Sequence, residues 1–597
     1  MLSRKDFHIE QIAKYEAKIN ECKKQLKKIL RIRLVLFFLP IFLLAYLGLG
    51  NTLINIIAIF VPIGAFLVLM RKESQLNSEV VFYESHKEIN AHELNLLNFN
   101  FKHVEDGIKF QQEPHNYSKD LDVFGDKSIY QLLNRTCTYS GSALLAQALN
   151  CPPLKKDEIL ARQKAIKELS KQDAWCADFL AHGKGTSDKN SPQLIIDWLN
   201  ANNTFNLRLI NVLKYILPLA CLSCGLLALF NIIPTGAFTM LFFLQLFLTM
   251  LFNVRITNIH NTLGKKYALI NKYFNLIGLI EKQSFESHLL QDLQQKIIDT
   301  KQENSATHSI KKLKEYLDLL DARLNILMAI LLNGIFLWDL NVVVKIEAWR
   351  IKNKERFIQW HNAISEFDAL ISIALFANSN PEYVYPEILE GEFKLVGEGL
   401  GHPLLDKTKL VKNDYYFDGK AKVDLLTGAN MAGKSTFLRT IGVNILLAEI
   451  GAPVCADKFS ITPVTLFTSL RTADSLQENE SFFYAELKKL EVLVNLYKSG
   501  VQLFFLLDEI LKGTNSNDQH VGSIGLVKKI LSLNGTGIIA THDLALSSLQ
   551  DEYPQNIRNL CFEIEIENNE LKFDYKLKQG LCKTMNASFL MKNMGII

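Results

Sequence analysis

Four stretches of the chain are almost wholly apolar, and they come in two pairs. Residues 34–50 and 53–70 are separated only by Asn51-Thr52; residues 215–233 and 237–254 are joined by Pro234-Thr235-Gly236. The first two runs have 17 and 18 residues, at the short end of what crosses a bilayer as a helix. Charge sits outside each pair: Arg31 and Arg33 before the first and Arg71-Lys72 after it, Lys214 and Arg255 around the second. The turns carry none. This pattern predicts two transmembrane helical hairpins, four spans in all, with the soluble segments on the cytoplasmic side; the alternative is a pair of buried soluble hairpins. Gln245, deep in the fourth run, either bonds across helices or is tolerated there. A shorter apolar run, 326–337, contains Asn333 and ends at Trp338-Asp339. About a dozen residues cannot span, so it is expected to be a buried core helix.

Elsewhere the apolar positions repeat with helical spacing through 73–206 and 258–378, until Asn380-Pro381 and Pro386 interrupt it. Beyond, the pattern turns strand-rich. Runs at 423–426, 501–507 and 537–540 read as short buried strands, and 437–450 reads as a helix. The predicted fold is an α/β P-loop (ABC-type) ATPase domain preceded by an all-α core/lever domain with two inserted transmembrane helical hairpins. Its divisions are a basic N-terminal helix (1–33), a membrane hairpin (34–72), a first helical core part (73–206), a second hairpin (207–256), a second helical core/lever part (257–385) and the ATPase domain (386–597).

Composition changes this little. The chain has 597 residues and a net charge of +4, too mild to imply nucleic-acid binding. Nine cysteines without paired spacing suit reduced thiols in a cytosolic setting. Cys221 and Cys224 lie inside an apolar run and read as helix packing. No cleavable signal peptide is apparent. Gly397, Gly399 and Gly401 precede no strand–helix turn, so they are assigned no cofactor.

Candidate chemistry begins at Gly428. Gly428-Ala429-Asn430-Met431-Ala432-Gly433-Lys434-Ser435 fits G-x-x-x-x-G-K-[ST] between a strand and a helix. The glycines let the backbone wrap a phosphate, and the helix start at Ser435-Thr436 offers free N–H groups. Lys434 would reach the terminal phosphates and Ser435 would ligate Mg²⁺. The 501–507 strand delivers Asp508-Glu509, the Walker B arrangement: Asp508 for the metal, Glu509 to orient or deprotonate the attacking water. The 537–540 strand ends in Thr541-His542-Asp543, which places His542 to sense a γ-phosphate.

Together "TGANMAGKSTFLRT", "DEILKGT" and "ATHD" resemble the ATPase domain of the MutS mismatch-repair family. The resemblance implies ATP as the nucleotide, Mg²⁺ and a composite site in a homodimer, with Ser481 contacting nucleotide across the interface. "DLDVFGDKSIYQLLNRTCTYSGSALLAQAL" and "AISEFDALISIALFA" resemble the start and end of the family's helical core, and "LKFDYKLKQGLCKTMNASFLMKNMGI" its closing segment. Several positions depart. Ala429 replaces a usual proline, Leu511-Lys512-Gly513-Thr514-Asn515 replaces "GRGTS", and Lys583-Thr584-Met585-Asn586 replaces "KSYG". No adenine-stacking aromatic is clear before the P-loop, where Leu410 lies. Phe82-Tyr83-Glu84 spells the family's mismatch-reading tripeptide, but in a helical segment with no room for the reading domain, and is taken as coincidence. No room is expected after Ile597 for a helix-turn-helix.

These features favour a membrane-anchored, multi-pass ATPase whose dimer is driven by ATP. DNA is the substrate the resemblance implies, and a bacterial inner membrane the location. The alternative is an ATP-driven membrane protein, transporter or scaffold, without DNA binding. Spans nearly free of ionisable residues speak against a polar transport path. The basic segment 311–323 reads as a solvated helix face more readily than as a phosphate contact.

Overall fold

The computed structural model describes residues 4–47, 52–184, 191–201, 207–264, 267–298, 305–429, 431–470, 482–567 and 570–582. Among the described residues, helices fill the first two thirds and ten strands the last third, in chain order β1 (Glu387–Ile388), β2 (Lys394–Leu400), β3 (Asn413–Asp418), β4 (Lys422–Gly428), β5 (Lys458–Ile461), β6 (Thr465–Ser469), β7 (Leu503–Asp508), β8 (Thr536–Thr541), β9 (Ile557–Glu567) and β10 (Glu570–Gln579).

The larger sheet runs β10-β9-β4-β8-β7-β6. It is parallel from β9 to β6, and β10 returns antiparallel on β9. Its inner strands read as unbroken apolar runs because both faces are covered. Alternate residues feed two cores. Leu426, Phe504, Leu506 and Ile538 face the helix Lys434–Glu449 side, while Leu425, Phe505, Leu507 and Ile539 pack with Leu490, Leu493, Val527 and Ile530 from the helices Phe482–Lys498 and Ser516–Ser532. A small sheet, β1-β5-β2-β3, packs alongside; Phe393 and Phe417 reach Phe504.

The first of those cores continues into the helical region without a break. Leu121 lies where a side chain at Gly442 would stand, and Arg439 Nε donates to the Asp120 carbonyl. The Asp120 carboxylate accepts from Thr468 Oγ1 at 2.8 Å and Lys489 Nζ at 2.7 Å. On the other side Arg162 donates to the Ile450 carbonyl. The helical body is strung on one 42-residue helix, Trp338–Ser379, about 63 Å long at 1.5 Å per residue. Asn380 caps it where the sequence places its break. Its buried Asp368 accepts from Cys137 N, Thr138 N and Thr138 Oγ1, which locks the start of the helix Tyr139–Asn150. The buried Arg135–Glu93 pair, at 2.7 Å, pins the same segment to the helix Thr52–Leu97.

The apolar runs differ from expectation in two ways. The first pair does not form separate elements. It continues two long helices, Arg4–Leu47 and Thr52–Leu97, whose other halves are charged. Phe82-Tyr83-Glu84 sits well inside the second of these. Among the described residues, Val212–Leu229 is the one uninterrupted helical stretch long and apolar enough to cross a membrane. Thr235–Leu251 with Asn253–Gly264, bent by 59°, and Ala306–Leu324 with Ile326–Phe336, bent by 113°, qualify only as broken pairs. By length and composition the described residues thus hold one to three candidate spans where the sequence pattern predicts four.

The second difference concerns the third run. The helix Ile326–Phe336 is not a core helix: Ile326 is 74% exposed and Leu327 73%. Only its Asn333-Gly334 edge is buried, against the helices Leu207–Leu229 and Thr235–Gly264. The ring of Phe242 fills the space beside Gly334, and Cys221 Sγ lies 3.8 Å from the Gly334 carbonyl. Cys221 and Cys224 are free, and Cys221 serves helix packing. Gln245 Nε2 donates to the Leu217 carbonyl at 3.2 Å, the cross-helix bond its position suggested.

Candidate active site

Strand β4 ends at Gly428, and the chain turns through the glycine loop into the helix Lys434–Glu449. Gly433 has φ 103°, a conformation L side chains avoid, and a Cβ there would stand 3.2 Å from the Tyr575 ring. A Cβ at Gly428 would meet the Phe562 carbonyl at 2.9 Å. These two glycines are therefore fixed by the path of the loop. Met431 forms an exposed tip, Ala432 is buried beneath it, and Thr436 is exposed one position beyond Ser435. Asn430 and Ser481 lie outside the described residues, as does the 583–586 segment.

Parallel pairing sets β4, β8 and β7 side by side, so the P-loop, His542 and Asp508-Glu509 leave the same sheet edge. Their side chains meet. Ser435 Oγ donates to Asp508 Oδ2. Asp508 Oδ1 is buried with no partner. Glu509 takes a left-handed backbone, φ 50°, that turns its side chain out of the strand line. Its Oε1 lies 3.0 Å from His542 Nε2, and its Oε2 pairs with Lys512. Those contacts, the His542 hydrogen bond foremost, pull the Glu509 carboxyl down to about 2, so it is ionised across the working pH range. Lys434 Nζ donates to the Gly428 carbonyl at 2.7 Å and the Ala429 carbonyl at 3.1 Å, and stands 3.2 Å from His542 Nε2. Burial lowers its pKa, with Asp508 and Glu509 opposing. A single ring nitrogen cannot serve both neighbours. With Nε2–H donated to Glu509, the lysine keeps its loop carbonyls.

A Mg²⁺ ion fits this arrangement. Among the described residues no three His, Cys, Asp or Glu side chains gather for a metal. Mg²⁺ instead takes one or two protein oxygens and completes its shell from phosphates and water. Ser435 Oγ and the unpartnered Asp508 Oδ1 are such oxygens.

Four further residues escaped the sequence reading. Lys512, at a position that departs from the family pattern, neutralises Glu509. His520, on the helix Ser516–Ser532, bonds Asp543 Oδ2 through Nδ1 at 2.6 Å. Asp543 also caps the short turn Leu544–Ser548, which fixes the His542 backbone. Glu486 accepts from the Leu511 N–H and so ties the helix Phe482–Lys498 to the loop after Glu509. Tyr575 is the fourth. It sits on β10 with φ 52°, stacks on Phe573 and stands half-exposed over the P-loop turn at Gly433. Leu410, nearest to where an aromatic was sought, packs on Gly401 instead. Tyr575 lies within the closing segment quoted for the family resemblance, 32 residues beyond Asp543, and nothing in the local pattern marked it for the site.

Two family models match this chain: MutS domain III over residues 110–374 and MutS domain V over 424–592. Together they take in the helical core and the sheet that carries the site. The chain belongs to the MutS family. Its relatives include the DNA mismatch repair protein MutS of Thermotoga maritima, 29% identical over 41% of this chain and 30% of that protein. The MutS of Chlorobium phaeovibrioides is 37% identical over 32% of this chain and 22% of the relative. The human MutS protein homolog 4 is 30% identical over 38% and 24%. The matched part thus spans less than a third of these relatives.

Proposed function

We propose that this MutS-family protein is a membrane-anchored ATPase in which two copies close on ATP and reopen on its hydrolysis. The observation that carries the reading is the convergence of Lys434, Ser435, Asp508, Glu509 and His542 at one sheet edge, with one buried Asp508 oxygen left for a metal.

Mg²⁺ held by Ser435 and Asp508 would neutralise charge on the phosphates. Lys434 exchanges the Gly428 and Ala429 carbonyls for terminal phosphate oxygens, gaining a partner of full negative charge. Glu509 orients the attacking water. A carboxylate that its contacts with His542 and Lys512 keep ionised is also free to take the water's proton. His542 donates Nε2–H to Glu509 and stands 3.2 Å from Lys434 Nζ, so a phosphate that draws Lys434 away changes its surroundings. Tyr575 offers its face to the base. Ser481 of the second copy completes the clamp, as the family resemblance implies.

The exposed helices Leu207–Leu229 and Thr235–Gly264 sit in the bilayer in this reading, joined to the ATPase end by the helix Trp338–Ser379. The soluble parts are cytoplasmic in this reading. The relatives named as mismatch-repair proteins support DNA as substrate. Direct mismatch reading is not part of the proposal, because Phe82 packs on His86 and His182 inside the helical body.

Detergent-purified protein should hydrolyse ATP, and duplex, branched or mismatched DNA should stimulate it in a salt-sensitive manner. Turnover without any DNA binding at low salt would remove the DNA reading and leave an ATP-driven membrane protein. Fluorescent fusions after residues 71 and 255 should both glow in the cytosol; a dark fusion at either overturns the topology.

A further inference from the structure

Resting on the membrane reading above, we infer that the helix Ile326–Phe336 is itself inserted into lipid, entering the bilayer and leaving on the same side.

Its outer face is the first ground. Ile326, Leu327, Met328, Ile330, Leu331 and Phe336 are all exposed, on a helix with no ionisable residue. Scattered exposed leucines mean little, but a contiguous apolar face of this kind needs a partner. The polar residue of the helix, Asn333, points the other way and is buried; its Oδ1 accepts from the Asp339 N–H. Asn325 at the front accepts from the Leu327 and Met328 N–H groups, which would otherwise be bare. A helix whose ends are satisfied internally is what hydrocarbon requires.

Continuity commits the occupant to lipid. The helix lies against the same two helices that carry the candidate spans, through Phe242 at Gly334 and Cys221 at the Gly334 carbonyl. Its apolar face therefore prolongs theirs: Leu219, Leu226, Phe243 and Phe247 are exposed as well. A soluble partner covering only 326–336 would have to share that surface with the bilayer.

The polar collar sets the geometry. Arg323, just before the helix, lies 3.5 Å from Asp339, just after it. Arg323 also donates to Asn253 and Thr257 below the bend of the neighbouring helix, and His260 pairs with Asp321 at 2.8 Å. Trp338 Nε1 donates to the Leu319 carbonyl. The two ends of the segment are thus tied together in one charged layer. Eleven residues span about 16 Å, half of a hydrocarbon core of about 30 Å, so the segment is too short to cross, and the collar that joins its ends keeps both on one side. Because the helix Trp338–Ser379 begins at this collar, the dip is joined directly to the element that runs through the core body.

The test is carbene labelling of the full chain in phosphatidylethanolamine–phosphatidylglycerol vesicles with a lipid-partitioning aryl diazirine, read by peptide mass spectrometry. Peptides covering 326–336 should label within about threefold of those covering 212–229. Peptides of the buried stretch 363–376 should stay unlabelled. Label at 212–229 without label at 326–336 overturns the inference, showing protein cover on that face, while leaving the membrane reading intact. Label at neither overturns both. The double variant Leu327→Glu, Leu331→Glu should lose label at 326–336 and keep it at 212–229; unchanged label there also counts against insertion.

Discussion

The inner strands of the large sheet and the helices Leu207–Leu229, Thr235–Gly264 and Ile326–Phe336 are both near-continuous apolar runs, yet they meet opposite surroundings. In the sheet Phe504, Phe505, Leu506 and Leu507 are sealed on both faces, and β7 delivers its polar groups at its end, where Asp508 meets Ser435 and Glu509 meets His542. In the helices many large apolar side chains face outward, while Gln245 and Asn333, within the apolar runs, face inward. Hydrophobicity alone does not separate these cases. What separates them is where the polar groups go: to a converging site in one region, to the helix seams and a charged collar in the other.

Substitutions that act on one region and spare the other test this division. The largest expected effect is Lys434→Ala, which removes the buried cation of the P-loop. ATP turnover should fall by about 100-fold or more, while detergent extraction of the protein from membranes stays as it was. Loss of membrane retention along with turnover would mean that the two regions are not independent.

Glu449 probes the buried side of the P-loop region. It ends the P-loop helix fully buried, accepts from the Val464 N–H, and burial pushes its pKa up to about 8. The folded state therefore holds a proton that the unfolded chain releases above about pH 4.5. Its contribution is fully present below that value and is lost as pH rises towards 8. Glu449→Gln keeps the acceptor and removes the titration. The variant should melt on the order of 5 °C higher than the parent at pH 8, with the gap closing near pH 5. Equal melting temperatures at both pH values would show that Glu449 is not protonated in the fold.

The smallest effect is at Tyr575. Replacing it with alanine should weaken ATP binding by roughly 3–10-fold through loss of aromatic stacking, with little change in maximal turnover, measured as Kd against kcat. Unchanged affinity would place the base elsewhere.

Much of the site was legible because its residues sit next to strand and loop signals. The glycine pattern fixes Gly428 to Ser435, and short apolar runs announce Asp508, Glu509 and His542. Tyr575 and His520 were not legible, since strand pairing and helix packing bring them in from distant positions. The helix Ile326–Phe336 shows a different limit. Its length pointed to a core, but length cannot tell which face is covered, and the covered edge is only Asn333-Gly334. The first hairpin merged with its charged flanks because helical propensity does not stop at a change from lysine to leucine.

The central claim, that the clustered groups hydrolyse ATP, is tested most directly by single-turnover and steady-state measurements on the full chain in nanodiscs, parent against Glu509→Gln. The account predicts that the variant binds Mg²⁺–ATP as tightly as the parent and turns it over at least about 100-fold more slowly. A variant that hydrolyses ATP at the parent rate would contradict it.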